Sequence, residues 1–189
     1  MSVLGAILTG GRSTRMGEDK SEVRVDGVTM LERVADAARP VVDQLVLLGP
    51  FRRGWVSWPD AVHAEGPLAG IATALTRTEL DRVLVIAVDQ PFVAVGTLQR
   101  LAGIGGDLPV VPVDDDGVRQ VTCAVYPKEI ASQSIEEARA GGSIQTLLDR
   151  VSFRPVTPEE WRGWGEDGRS WFSVDTIEEL ARGSALFAS

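Results

Sequence analysis

With 189 residues, 44% of them hydrophobic and 24% charged, the chain has the make-up of one folded domain with a real hydrophobic core, which excludes global disorder. A net charge of −8 opposes nucleic acid or an anionic membrane as the main partner, because both need a basic surface. Cys123 is the single cysteine, so no disulfide framework or thiolate cluster can form within the chain, and a reducing, cytoplasmic setting is expected. The most apolar stretch, at 83–95, is too short to span a bilayer and contains Asp89; no targeting segment is expected either.

Short apolar runs alternate with amphipathic ones, the pattern of an α/β protein. A first strand is expected in "VLGAIL" at 3–8, a helix in "TMLERVADAARPVV" at 29–42, a strand in "QLVLLG" at 44–49 and a helix in "GIATALTRTEL" at 70–80. "RVLVIAVD" at 82–89 is too continuously apolar for a half-exposed strand, so it reads as a central strand with helices on both faces. "PVVPV" at 109–113, the acidic turn at 114–117 and "VRQVTCAVYP" at 118–127 read as a strand pair with an antiparallel element. Two helices are expected in "KEIASQSIEEARA" and "SIQTLLDR", then a short strand in "SFRPV". "WFSVDTIEELARG" reads as a last strand and helix, with Thr176 and Glu179 in capping-box spacing. The segment 158–171, with Trp161, Trp164 and Trp171, has no assigned place.

A glycine loop between a first strand and a first helix is where an α/β sheet binds ligands, commonly phosphates, because glycine lets backbone N–H groups approach closely. In "LTGGRSTRMGEDK" at 8–20 that turn also carries Arg12, Arg15 and Lys20, which suits a polyphosphate; solvated charges on an ordinary turn are the competing reading. The stretch contains neither the dinucleotide fingerprint GxGxxG nor a P-loop.

The stretch closely resembles the nucleotidyltransferase signature L-A-G-G-x-S-x-R-M-G-x-D-K, in the form found in molybdenum cofactor guanylyltransferases. The resemblance continues in the family's order through "EGPLAGI" at 65–71, "VDQPFV" at 88–93, "TCAVYPKE" at 122–129 and "FSVDTIEELA" at 172–181. It implies a single-domain, Rossmann-like three-layer sandwich of the nucleotide-diphospho-sugar transferase type, mostly parallel with an antiparallel element. The nucleotide-binding part would be roughly 1–107 and the acceptor-binding part roughly 108–189. The implied reaction uses GTP and Mg²⁺ and moves GMP onto the phosphate of molybdopterin, releasing pyrophosphate.

By this likeness Leu8, Thr9 and Gly10 line the guanosine with backbone groups, and Gly11 lets the chain turn beside the phosphates. Thr9 stands where alanine is usual. Arg15 would hold the departing pyrophosphate and Lys20 the phosphate under attack. Gly66, Pro67 and Leu68 would lie near the nucleotide, as would Asp60, which aligns loosely. Asp89 is also an acid at the end of a buried strand, where a hard cation would relieve its burial; a carboxylate that merely caps a loop is the alternative. Asp175, where these enzymes usually carry asparagine, is either a second metal ligand or the cap of the final helix. His63 is expected at the surface, and Cys123 as a buried small side chain. Leu48 stands near a position where some of these enzymes have a base-reading asparagine, and 141–148 lacks an arginine common on the acceptor side. Relatives with the first motif use CTP or other phosphorylated acceptors. Donor and recipient proteins for the cofactor are conceivable partners, and a monomer or weak homo-oligomer is expected.

Overall fold

The computed structural model describes residues 1–10, 19–60 and 66–187. In chain order the elements are β1 (Val3–Leu8), the short hairpin β2 (Arg24–Val25) and β3 (Val28–Thr29), α1 (Met30–Ala38), β4 (Gln44–Leu48), β5 (Ser57–Trp58), α2 (Pro67–Arg77), β6 (Arg82–Ala87) and α3 (Val95–Gly103). The second half adds β7 (Val110–Pro112), β8 (Cys123–Pro127), α4 (Ala131–Arg139), α5 (Ile144–Leu148), β9 (Arg154–Val156), α6 (Pro158–Gly163) and α7 (Ile177–Phe187). Among the described residues, seven strands form one sheet in the order β5-β4-β1-β6-β8-β7-β9. β8 runs antiparallel to both β6 and β7, and every other neighbouring pair is parallel.

β1 and β6 are buried along their whole length, as strands covered on both faces must be. Their side chains alternate between two apolar layers. Leu4, Ala6, Leu8, Val83 and Val85 pack with α2, α4 and α5, whereas Val3, Ile7, Leu84 and Ile86 pack with α1 and α3. The fold is therefore a mixed three-layer sandwich, the architecture that the resemblance implies. α1 starts at a capping box in which Glu32 N donates to the Thr29 hydroxyl and Thr29 N to the Glu32 carboxylate.

Two expectations need correction. Residues 172–175 form no ladder with the sheet; a bond from Val174 N to Asp89 O ties the segment to the turn after β6, and Phe172 and Val174 pack in an apolar cluster, so the apolar "WFSV" run reflects packing rather than pairing. β6 ends at Ala87, and Asp89 lies in the turn beyond it. There Gln90, 3% exposed, folds back so that its side-chain oxygen accepts from Ala87 N and its backbone N donates to Ala87 O.

The tryptophan-rich segment closes the second layer. Trp161 of α6 is buried, its indole N–H donates to Val113 O at 2.9 Å, and its ring meets Trp171 edge to face. Behind it the buried carboxylate of Glu166 accepts the hydroxyls of Thr97 and Ser170 and the backbone N–H groups of Asp167, Gly168 and Ser170. Ser170 in turn accepts from Ala94 N at the start of α3. Five hydrogen-bond donors thus satisfy a carboxylate that would otherwise be costly to bury.

Candidate active site

Three parallel strands end level with one another: Leu8 registers with Leu48 of β4 and with Ala87 of β6. Their carboxyl ends form one edge, the position where open α/β sheets bind ligands. Thr9 donates its backbone N–H at 2.9 Å and its hydroxyl at 3.1 Å to the carbonyl of Leu48. The hydroxyl is thereby turned sideways against β4. Gly49 makes this possible: its φ is +135°, and a Cβ there would stand 2.9 Å from the Thr9 hydroxyl and 3.0 Å from Gly10 N. The Leu48 side chain is 1% exposed and belongs to the core, so it presents nothing to a ligand. Gly10 is exposed beside Gly49.

α2 begins over the same edge. At Gly70 an added Cβ would lie 3.0 Å from Leu8 and 3.3 Å from Leu48, so in "GPLAG" Gly70 serves helix-on-sheet packing. Gly66 and Pro67, at the exposed helix start, have no side-chain cap above them. The Leu68 side chain is buried in the core, which leaves only its backbone to face a ligand.

The central feature is a shared cation. Lys20 sits on a one-turn 3-10 helix, Lys20–Glu22. Its ammonium donates to Asp89 Oδ2 at 3.2 Å and also to Asp175 Oδ1. Burial alone would lower its pKa; the hydrogen bond to Asp175 and the charge of Asp89 outweigh that and hold it above the ordinary lysine value. Asp175 is oriented at the start of α7: Glu179 N donates to the Thr176 hydroxyl, and Asp175 N donates to the Glu179 carboxylate. Thr176, not Asp175, therefore caps the helix, and the Asp175 carboxylate meets Lys20.

Matched over residues 5–155, the sequence fits the model of the MobA-like NTP transferase domain. The chain belongs to this NTP transferase family. It is 26% identical over 194 residues to the molybdenum cofactor guanylyltransferase of Desulfosudis oleivorans, covering 97% of this chain and 95% of that one. It is 32% identical over 193 residues to a probable molybdenum cofactor guanylyltransferase of Natronomonas pharaonis, covering 94% and 95%. The crystal structure of molybdopterin-guanine dinucleotide biosynthesis protein A from Archaeoglobus fulgidus superposes with a TM-score of 0.83 at 25% identity, covering 97% of each chain.

In this NTP transferase, Asp89 and Asp175 already address one cation between them. Two carboxylates are the hard oxygen donors through which Mg²⁺ is usually held, its other positions going to water and substrate phosphates. Among the described residues no cluster of three or more His, Cys, Asp or Glu forms an all-protein cage. The donor set therefore suits a cation shared with a phosphate ligand.

The expected site residues divide by position. Lys20, Asp89 and Asp175 are in contact, and Leu8 adjoins them through the bond from Val88 N to Leu8 O at 3.0 Å. Asp60 is exposed beyond β5, and among the described residues no hydrogen bond or ion pair joins it to the three. Gly11, Arg12, Arg15 and His63 lie outside the described residues. Cys123 is fully buried and burial pushes its thiol far up, so it packs and does not react. No helix of the described residues is long and apolar enough to cross a membrane.

Sequence reasoning missed Arg52. It follows β4, its side chain is 13% exposed, and it grips Asp19 at 2.5 Å and Glu22 at 3.4 Å, on either side of Lys20. The clue was an arginine pair in "FRRGW" directly after a strand that ends at the site.

Proposed function

We propose that the protein is a Mg²⁺-dependent nucleotidyltransferase that moves GMP from GTP to the phosphate of molybdopterin. The observation that carries the reading is the convergence of Lys20, Asp89 and Asp175 at the carboxyl ends of β1 and β6, in a chain of this family. A terminal phosphate oxygen of the acceptor attacks the α-phosphorus of GTP in line. A new phosphorus–oxygen bond forms, the bond from the α-phosphorus to the bridging oxygen breaks, and its electron pair leaves with pyrophosphate. The attacking oxygen is already anionic, so no side chain must take its proton. Catalysis is then positioning and charge neutralisation.

In this reading Asp89 and Asp175 hold the metal, which, when bound, neutralises charge on the nucleotide phosphates. The Lys20 ammonium turns from the two carboxylates to the phosphate under attack, and Arg15 holds the leaving pyrophosphate. Backbone groups of Leu8, Thr9, Gly10 and Gly11 and the start of α2 at Gly66, Pro67 and Leu68 line the nucleotide, with Asp60 at its rim. Residues 1–107 bind nucleotide and 108–189 form the acceptor side, with Asp175 closing one on the other. Because Leu48 is buried and offers no amide to the base, CTP:molybdopterin cytidylyl transfer is the second reading. A monomer or weak homo-oligomer that receives molybdopterin from a donor protein and passes on the product would suffice.

A calorimetric panel of GTP, CTP, ATP and UTP with Mg²⁺ tests the proposal, followed by pyrophosphate release with molybdopterin. Tightest binding of GTP, weakened in Asp89→Ala, is the expected result. Preference for CTP selects the second reading. No binding of any of the four overturns both.

A further inference from the structure

We infer that Arg52 is a positioning residue for the transfer, which brackets the turn bearing Lys20 and keeps it in place when the lysine ammonium lets go of the two carboxylates. The inference rests on the function proposed above.

Lys20 is held from two directions. Its head is bound to Asp89 and Asp175. Its base is a single 3-10 turn whose own bonds, Glu22 N to Asp19 O at 2.9 Å, Val23 N to Lys20 O at 3.2 Å and Ser21 N to Asp19 Oδ1 at 3.1 Å, fix its shape but not its place. Val23 anchors its far end in the apolar core, and Arg52 grips both flanks of Lys20, its Nη2 meeting Asp19 and its Nη1 meeting Glu22. When a metal takes the carboxylates and Lys20 moves to a phosphate, the head is released and this fork remains.

The arginine is built for rigidity. Its backbone N–H donates to the Ser57 hydroxyl at 3.2 Å, which ties the loop after β4 to β5. Its side chain is 13% exposed, and its Nε–H has no acceptor among the described residues. A buried donor left unpaired costs stability, so the residue is poorly explained as a stabiliser alone. A lysine has a point charge and no fork, so it can satisfy one carboxylate at a time.

The test compares the wild type with Arg52→Ala and Arg52→Lys in hydrogen exchange and in steady-state pyrophosphate release from GTP with Mg²⁺ and molybdopterin. In Arg52→Ala the amides of 21–23 lose protection while those of β1 and β6 keep theirs. Misplacing the lysine lowers kcat about ten- to hundredfold, and KM for GTP stays within about threefold because the bond acts after binding. Arg52→Lys recovers part of both effects. Unchanged kcat overturns the inference, whether or not protection at 21–23 changes, and so does protection lost evenly through β1 and β6. If the wild type releases no pyrophosphate with any phosphorylated acceptor, the proposed function falls; exchange at 21–23 then decides the bracket, retained protection in Arg52→Ala overturning it and local loss upholding it.

Discussion

The backbone N–H of Val174 donates to the carbonyl of Asp89 at 2.8 Å, and the fully buried Val174 side chain lies in one apolar cluster with Val23, Val25, Met30 and Phe92. Each segment that carries a group of the site thus has an anchor in that cluster. Val23 follows Lys20, Phe92 follows Asp89, and Val174 precedes Asp175. The spacing of an ammonium and two carboxylates at the surface is set by packing beneath them.

Val174→Ala should therefore cost more than its methyl groups. A cavity in a small cluster destabilises by about 2 kcal/mol, which lowers Tm by roughly 4–8 °C in a chain of this size. Transfer should slow as well, since the Asp175 segment loses its anchor. Thermal melts and pyrophosphate release on the same preparation check this. A melt shift with an unchanged rate would show that the bond to Asp89 positions Asp175 without the cluster.

Lys20 stands between two carboxylates that are to hold a metal, so ammonium and metal compete. Lys20→Ala should bind Mn²⁺ more tightly than the wild type without nucleotide, by about 1 kcal/mol or a few-fold to tenfold, the scale of a partly screened ion pair. The same variant should lose transfer. Titration of Mn²⁺ followed by electron paramagnetic resonance measures the first effect. Equal or weaker affinity would mean that Asp89 and Asp175 do not bind the metal together.

Much of this site was legible because its residues lie beside strong local signals. Asp89 follows the most apolar run in the chain, Lys20 ends a glycine-rich turn, and Asp175 stands one residue ahead of a capping box. Alternation of apolar and amphipathic runs revealed the layered sheet for the same reason. What escaped depends on tertiary contact. The position of β8 between β6 and β7, antiparallel to both, is set by long-range pairing. The run at 172–175 has the composition of a strand, but its apolar residues serve the cluster under the site. Arg52 is one of a common pair of charged residues until its partners, 30 and 33 positions away, are known.

Glu166 gives a contrast between charge and geometry. Five donors converge on its buried carboxylate. Glu166→Ala strands buried hydroxyl and N–H groups and should cost about 3 kcal/mol or more. Glu166→Gln keeps one oxygen for the backbone groups and offers its amide to the Thr97 and Ser170 hydroxyls, which also accept, so its cost should be about 1 kcal/mol. Urea unfolding of the three proteins separates them. Both variants should keep the wild-type kcat, since none of these bonds reaches Lys20, Asp89 or Asp175.

The Arg52 bracket has a signature in acid. Burial alone would raise the pKa of Asp19, but hydrogen bonds from Ser21 and Arg52 outweigh it and hold the carboxyl below its ordinary value of 3.8. A carboxyl whose folded pKa lies below its unfolded one adds stability that is fully present above the unfolded value. That stability disappears as pH falls through the lower, folded value. Asp19→Asn keeps an oxygen to cap Ser21 but loses the charge facing Arg52. The wild type should be the more stable of the two at pH 5 and above, by under about 1 kcal/mol because Asp19 is half exposed. The difference should shrink once pH drops below about 3.8. Thermal melts of both proteins from pH 3 to 7 test this, and a difference that grew toward acid would contradict the assigned ion pair.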